Sequence, residues 1–354
     1  SLCYKKHNMS KKDLSVLKLK KLNLNQKNYL IYSNFKSYLK KLIRRRNFLV
    51  AVSGGPDSLA LAGLSKIFSN EQKNNISFVL IDHGIRKNSS NEAKAVKSLL
   101  KKKKINLIIL RNKEKINKNI QSNAREIRYK LLLHFCKKHK IRFILTGHHR
   151  DDQIETFLIR LSRGSGVQGL SSMKKVSSLD NKIKLIRPLL DEKKKDLTIL
   201  AKKCFGKIFK DPSNINQKFL RTKIRVLIKQ FEKSGIKHEK IINSINNLGS
   251  TRDTLNTYVS KVEKNCVTVN KKETVISLKN FSIENEEIQL KVFSNCIKNT
   301  SKSYYPPRAK KIINLLNKIK FDQKLKATLG GCVIQKINNN LVFYKEKLKK
   351  ALKV

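Results

Sequence analysis

The feature that most constrains this chain is an apolar run that breaks at two glycines and reopens as a small-residue helix: Leu49 to Leu61 reads LVAVSGGPDSLAL. Phe48 to Val52 is apolar without alternation, as in a strand of a parallel sheet covered on both faces. Gly54 and Gly55 allow backbone geometry closed to other residues, and Pro56 suits a first helical turn. Free N–H groups and the helix dipole then converge on one point, which favours a phosphate or pyrophosphate. Ser53, Gly54, Gly55, Pro56, Asp57 and Ser58 surround that point with hydroxyls, amides and one carboxylate. The Walker loop is excluded, because no lysine follows the glycines and the spacing is too short.

Four runs, 48–52, 77–81, 105–110 and 142–145, alternate with helix-like segments, so the fold class is α/β with a parallel sheet. Ser89-Ser90-Asn91-Glu92 has the form of a capping box, with Ala93, Val96, Leu99 and Leu100 following at helical spacing. Open parallel sheets bind ligands beyond the carboxyl ends of their strands. The glycine loop, Asp82-His83 and Gly147-His148-His149 all fall at such ends. A fifth run, 182–187, ends at Pro188, and 191–203 reads as a helix; Lys210 to Asn214 is a turn. Residues 219–231 and 238–264 read as basic helices. Strands at 267–269 and 274–278, helices at 284–298 and 307–319, and a hairpin of 332–336 with 341–344 follow. The expected domains are a basic, partly disordered segment and helix over 1–44, a catalytic domain over 45–215, a helical connector over 216–265, and a small α/β domain over 266–354. The opening at Ser1, with Met9 inside the basic segment, leaves the true start open. The lysine run at 101–104 reads as a solvated helix end held by the dipole.

At 354 residues there is room for two or three cores. With 80 Lys and Arg against 25 Asp and Glu, the net charge of +55 favours polyanions, nucleic acid above all, although the abundance of Lys, Asn and Ile also fits translation of an A/T-rich genome. The six cysteines are scattered singly, as buried thiols of a reducing cytosol would be. No apolar run approaches the ~18 residues of a membrane span, so a cytoplasmic protein with no membrane partner is expected.

Chemistry concentrates in Gly147-His148-His149-Arg150-Asp151-Asp152-Gln153-Ile154-Glu155-Thr156, where two histidines and three carboxylates crowd one strand-to-helix junction. Asp152 and Glu155 lie three apart on one helix face, with His148 in the loop before them. Carboxylates there suit Mg²⁺, and a histidine can exchange a proton near neutral pH; the spacing suits zinc poorly. Arg125 and Arg128, also three apart, can fork toward phosphate.

The SGGPDS string resembles the signature of the PP-loop family, ATP pyrophosphatases with an adenine nucleotide alpha hydrolase-like fold. SGGPDS, DHGIR (82–86), AREIRY (124–129), GHHRDDQIETFLIRLSRGSGVQGLSSM (147–173), IRPLL (186–190) and DPSN (211–214) together resemble the tRNA(Ile)-lysidine synthetases over about 45–230, and TLGGCVI (328–334) is similar to their C-terminal domain. The resemblance implies ATP and Mg²⁺ as cofactors and joining of L-lysine to C2 of the wobble cytidine of a CAU-anticodon tRNA(Ile). It implies attack of that base on the α-phosphate, release of pyrophosphate, then displacement of AMP by the lysine amine. By the same resemblance Asp57 and Asp152 handle Mg²⁺ and phosphate, His148 serves adenylation, and Arg125 or Arg128 meets phosphate or cytidine. Asp82 and His83 join the glycine loop in binding ATP, Glu155 orients the lysine amine, and 164–173 is a flexible cover. The family's Arg-Asn-Arg-x-Arg string is here Arg221-Thr222-Lys223-Ile224-Arg225, and Arg221 and Arg225 are expected to contact RNA or an interdomain surface. A basic C-terminal domain reading the tRNA and a homodimer are further expectations. The alternatives are a PP-loop tRNA thiolase, which would normally use paired cysteines, and a non-catalytic basic RNA-binding protein, which leaves the carboxylates unexplained.

Overall fold

A computed structural model describes residues 26–85, 88–112, 114, 120–180, 182–209, 220–303 and 307–346, the side chains of 120 and 121 excepted. The chain divides into two compact units at Asn246 and Asn247.

The first unit opens with α1 (Gln26–Leu42), β1 (Phe48–Val52), α2 (Pro56–Gln72), β2 (Ile76–Asp82), α3 (Ser89–Lys101) and β3 (Leu107–Arg111). It continues through α4 (Ile120–Lys138), β4 (Phe143–Leu145), α5 (Arg150–Leu161), α6 (Val167–Leu170), β5 (Val176–Ser178) and β6 (Lys184–Ile186). Helices α7 (Lys194–Phe205), α8 (Leu220–Lys233) and the start of α9 (His238–Cys266) complete it.

The sheet has the order β3-β2-β1-β4-β6-β5. Its first five strands are parallel, and only the edge strand β5 is antiparallel. That edge strand went unread because three residues carry too little alternation to register. β1 alternates its side chains between two layers, as expected. Phe48, Val50 and Val52 join the core beneath α1, α2 and α7, while Leu49 meets Leu132 and Cys136 of α4 on the other face. Helix α2 is buried on nearly every side, which explains its small residues. At Gly63 an added Cβ would stand 2.7 Å from Cys204 Sγ of α7, so the two helices pack at close range.

Two elements lie elsewhere than the domain reading put them. The apolar face of α1, Ile31, Tyr32, Phe35 and Leu39, is part of the main core, so the helix expected in a basic segment apart from the catalytic domain packs with it. Helix α8 belongs to the first unit, where Ile224 and Ile228 pack on Ile154 and Leu158 of α5. The capping box also differs. Asn88 is the N-cap of α3, no described side chain caps it, and Ser90 turns instead to Asp82.

The second unit carries most of α9, then β7 (Val267–Val269), β8 (Glu273–Ser277), α10 (Leu278–Phe281), α11 (Glu286–Ser301), α12 (Ala309–Phe321), β9 (Lys326–Leu329), β10 (Cys332–Ile337) and β11 (Asn340–Lys345). Its sheet is antiparallel throughout, in the order β7-β8-β11-β10-β9. Phe293 of α11 meets Phe343 of β11 edge to face at 5.0 Å in its core.

Candidate active site

Parallel pairing sets the strand ends level: Val52 is opposite Leu80, and Leu145 opposite Ile186. The loops after β1, β2, β4 and β6 therefore rise from one edge of the sheet. After β1 the chain passes through Gly54 at φ +86°, where a Cβ would also strike Val96 of α3 at 2.7 Å. Gly55 caps α2 in extended geometry, and Pro56 is its first residue. Ser58 Oγ accepts from the backbone N–H of Ser53 at 3.1 Å and from the Ser53 hydroxyl at 3.2 Å, and donates to the Gly55 carbonyl at 3.0 Å. The loop is thus braced from within by its two serines. The first-turn amides of α2 face outward without helical partners, as an anion site needs.

The loop after β4 is pressed against this one. A Cβ on Gly147 would lie 2.9 Å from the carbonyl carbon and oxygen of Asp57 and 3.0 Å from the Ser58 nitrogen, so only glycine allows the approach. The approach carries His149 beside Asp57. His149 is 3% exposed, and its Nε2 stands 3.5 Å from Oδ2 of Asp57 and 3.5 Å from Oδ2 of Asp152. Asp152 also accepts the His149 backbone N–H at 3.1 Å, which fixes the start of α5. Burial lowers the His149 pKa, but the hydrogen bond to Asp57 and the charges of Asp152, Asp57 and Asp151 outweigh it and raise the value.

His148 has the opposite character. Burial, then the fields of Arg187, Arg125, Arg221 and Arg128, push its pKa well below the ordinary value, so the ring is neutral at neutral pH. Its Nδ1 is 2.8 Å from Thr146 Oγ1. The same arginines make this corner strongly attractive to phosphate. Arg187 is held there by donating to the Lys174 carbonyl at 2.7 Å and to Ser177 Oγ at 3.1 Å.

At the end of β2, burial opposes the charge of Asp82, but hydrogen bonds from Ser90, Ser89 and the Gly84 N–H prevail and lower its pKa. Ser90 donates at 2.7 Å and Gly84 at 3.1 Å. Among the described residues neither nitrogen of His83 has a hydrogen-bond partner, and burial followed by the charge of Arg128 lowers its pKa to about 4.

Glu155, 3% exposed on α5, is engaged from α8. Arg221 Nε donates to it at 2.8 Å and Arg225 Nε at 2.5 Å, and Arg221 also lies 3.5 Å from Asp152. Glu155, expected to orient the lysine amine, and Arg221 and Arg225, expected to contact RNA or an interdomain surface, bind one another here. The apolar contact of α8 with α5 brings these opposite charges within reach, and a buried carboxylate takes the nearest cations. The segment expected to be a flexible cover is tied to α5. Gln153 exchanges two hydrogen bonds with the Met173 backbone, and Arg160 donates to the carbonyls of Gly169 and Ser172.

The structure thus gathers Ser53 to Ser58, Asp82, His83, His148, Asp152 and Glu155 at one edge, and the fields of Arg125 and Arg128 reach His148. Arg86 of DHGIR and the DPSN turn at 211–214 lie outside the described residues. Sequence reasoning passed over His149 and Arg187. The only signal was the paired histidine and the arginine before Pro188. Among the described residues no three His, Cys, Asp or Glu side chains are grouped to hold a metal on their own. Asp57 and Asp152 still suit Mg²⁺. Their oxygens converge on one nitrogen, Asp57 Oδ1 is buried without a hydrogen-bond partner among the described residues, and Mg²⁺ commonly takes only one or two carboxylates beside phosphate and water. The five described cysteines are buried.

Residues 28–231 match the PP-loop domain family. A tRNA(Ile)-lysidine synthase of Wolbachia pipientis wMel is 36% identical over 302 residues, which are 84% of this chain and 70% of that protein. A protein of the same name from Rickettsia typhi is 31% identical over 328 residues, 90% of this chain and 74% of its own length. Among solved structures, the U34-tRNA thiolase NcsA from Methanococcus maripaludis superposes with a TM-score of 0.51 at 20% identity, over 63% of this chain and 80% of that one, a likeness of fold.

Proposed function

Since this chain belongs to the tRNA(Ile)-lysidine synthases and carries their PP-loop domain, we propose that it joins L-lysine to C2 of the wobble cytidine of a CAU-anticodon tRNA(Ile), consuming ATP and releasing AMP and pyrophosphate. The product base reads AUA in place of AUG. The observation that carries the reading is the pairing of Asp57 and Asp152 across His149, beside the glycine loop and the arginines around His148.

In this reading the serine-braced loop and the first turn of α2 hold the ATP phosphates, with Asp82 and His83 bordering the nucleoside. Arg125, Arg128 and Arg187 draw the triphosphate toward His148 and oppose the charge that builds as pyrophosphate departs. In the tautomer in which Thr146 donates to Nδ1, His148 carries its proton on Nε2 and donates it as a hydrogen bond to a phosphate oxygen during adenylation. Asp57 and Asp152 would hold Mg²⁺, which supplies charge neutralisation on the phosphates when bound. The cytidine O2 attacks the α-phosphate and forms the adenylated base; the lysine amine then adds at C2 and AMP leaves. Asp152 and Glu155 supply the negative field that draws the amine inward, Glu155 being reached by parting it from Arg221 or Arg225. The setting is the cytoplasm, where tRNA, ATP and free lysine meet, and no described helix is long and apolar enough to cross a membrane. The second unit reads tRNA features outside the anticodon, and a second copy of the chain is its partner.

The test is incorporation of radiolabelled L-lysine into an unmodified CAU-anticodon tRNA(Ile) transcript, with and without ATP, by wild type and Asp57→Ala. ATP-dependent labelling lost in Asp57→Ala supports the reading. Absence of labelling by the wild type, with transfer from a sulfur donor or RNA binding alone, overturns it.

A further inference from the structure

The edge of the first sheet opposite the site carries a second pattern. In a parallel sheet every helix-to-strand turn lies at the amino ends of the strands, here about 20 Å from the glycine loop along β2. Four of these turns, before β1, β2, β3 and β4, each hold a non-glycine residue in the left-handed region: Arg44 at φ 53°, Lys73 at 56°, Lys104 at 57° and Lys140 at 53°. All four are exposed, as are Arg45 and Arg46 beside the first. Side chains carry a conformational cost in this region, and Gly or Asn occupies it with least strain. The site edge keeps Gly54 and Gly84 in that region and breaks the rule once, with Ser172 at φ 57°, which carries no charge. The opposite edge breaks it four times, always with a cation.

Two ordinary explanations fall short. The dipole of the preceding helix favours a cation near its end, but any position of the last turn would serve, and α4 already has Lys137 and Lys138 there. An A/T-rich composition accounts equally for Asn, which is abundant in this chain and suits the conformation better. Lys302, after α11 of the second unit, shows that a left-handed lysine occurs singly elsewhere; what is particular here is four in one row. The row is also built rigidly. Asn74, 5% exposed, donates to the carbonyls of Arg44 and Arg46 at 2.9 Å each, and Arg46 lies over the Phe143 ring at 5.9 Å. The nearby carboxylates do not cancel it, since Glu71 pairs with Lys36 and Asp180 with Lys137.

We propose that this edge is a second RNA-binding surface, separate from the mouth that takes the wobble base, and that the four left-handed cations hold the phosphates of a single-stranded or looped RNA. RNA is favoured over an anionic bilayer because the apolar residues at these turns, Ile43, Phe48, Ile105 and Ile141, are all buried and leave nothing to insert.

The test uses the full chain saturated with CAU-anticodon tRNA, so that the catalytic mouth is filled, and a labelled oligouridylate as probe. The fourfold variant Arg44→Asn, Lys73→Asn, Lys104→Asn, Lys140→Asn removes charge while easing the backbone, so thermal stability equal to or above wild type shows that the fold is kept. The expected result is oligouridylate binding by the tRNA-saturated wild type, weakened at least tenfold in the variant. The salt slope should drop by about 3, near 0.7 for each of four contacts. Lysine incorporation at saturating tRNA should be unchanged. An unchanged affinity and slope, or no binding to the tRNA-saturated wild type, overturns the proposal. So does a loss confined to phosphatidylglycerol vesicles, which would make the partner a lipid surface. Because the readout is binding, its failure is distinguishable from failure of the lysine reaction.

Discussion

The imidazole of His149 stands 3.5 Å from the carboxylate of Asp57, across the junction of two loops that rise from different strands. A second carboxylate, Asp152, lies at 3.5 Å from the same nitrogen. One buried ring therefore sets the separation of the two acids that the proposed chemistry needs together. Such partners of metal-holding carboxylates commonly change affinity or rate 10–100-fold when removed. His149→Ala should raise the Mg²⁺ concentration needed for half-maximal ATP binding by that order, with His149→Asn recovering part of it. Titration of nucleotide binding against Mg²⁺ checks this apart from turnover.

Gly147→Ala should be among the most damaging small changes in the first unit. Its methyl would meet the Asp57 backbone at 2.9 Å, and neither strand end can retreat, so about 1–3 kcal/mol of stability and most of the activity should be lost. Gly84→Ala meets nothing within 4 Å and strains only its φ of +65°, at about 1 kcal/mol. Thermal melts of the two variants should rank in that order.

Glu155→Ala leaves two guanidinium groups facing each other beside a buried site. Losing one partner of a buried ion pair costs about 3–5 kcal/mol, and the partial exposure of both arginines places this case at the low end. Arg225→Ala alone should cost less, because Arg221 still answers the carboxylate at 2.8 Å. Chemical denaturation of each variant separates them.

Acid should weaken the first unit through His83. Its folded pKa, about 4, lies below the ordinary 6.5, so on acidification the unfolded chain takes up a proton first. The contribution is complete above pH 6.5 and is lost as pH falls toward 4. His83→Gln should flatten this part of the stability profile, as urea midpoints measured across the window would show.

Much of the first unit was legible because its signals are local. Phe48 to Val52 and the helix beginning at Pro56, like the hairpin near 338–340 of the second unit, stand within a residue or two of their expected places, since periodicity and turn residues act over a few neighbours. The failures have one character. Ser89 and Ser90 satisfy the capping rule in sequence, but Asp82 lies within reach in space and takes the hydroxyl. Helix α1 reads as part of a separate basic segment because cations dominate the count over 1–44, while Phe35 and Leu39 on its other face complete the core.

The sequence by itself determined the alternation of strands and helices along the chain, the phosphate-seeking loop at Ser53 to Ser58, and the richness of the 147–156 junction in groups able to bind and move protons. The tertiary structure alone decided which of those groups meet. His149, not His148, stands between the carboxylates, and Glu155 finds Arg221 across 66 positions of chain. The reason is physical: backbone preference depends on near neighbours, but the partner of a charge depends on distance through space, and in this fold packing of strands and helices sets that distance.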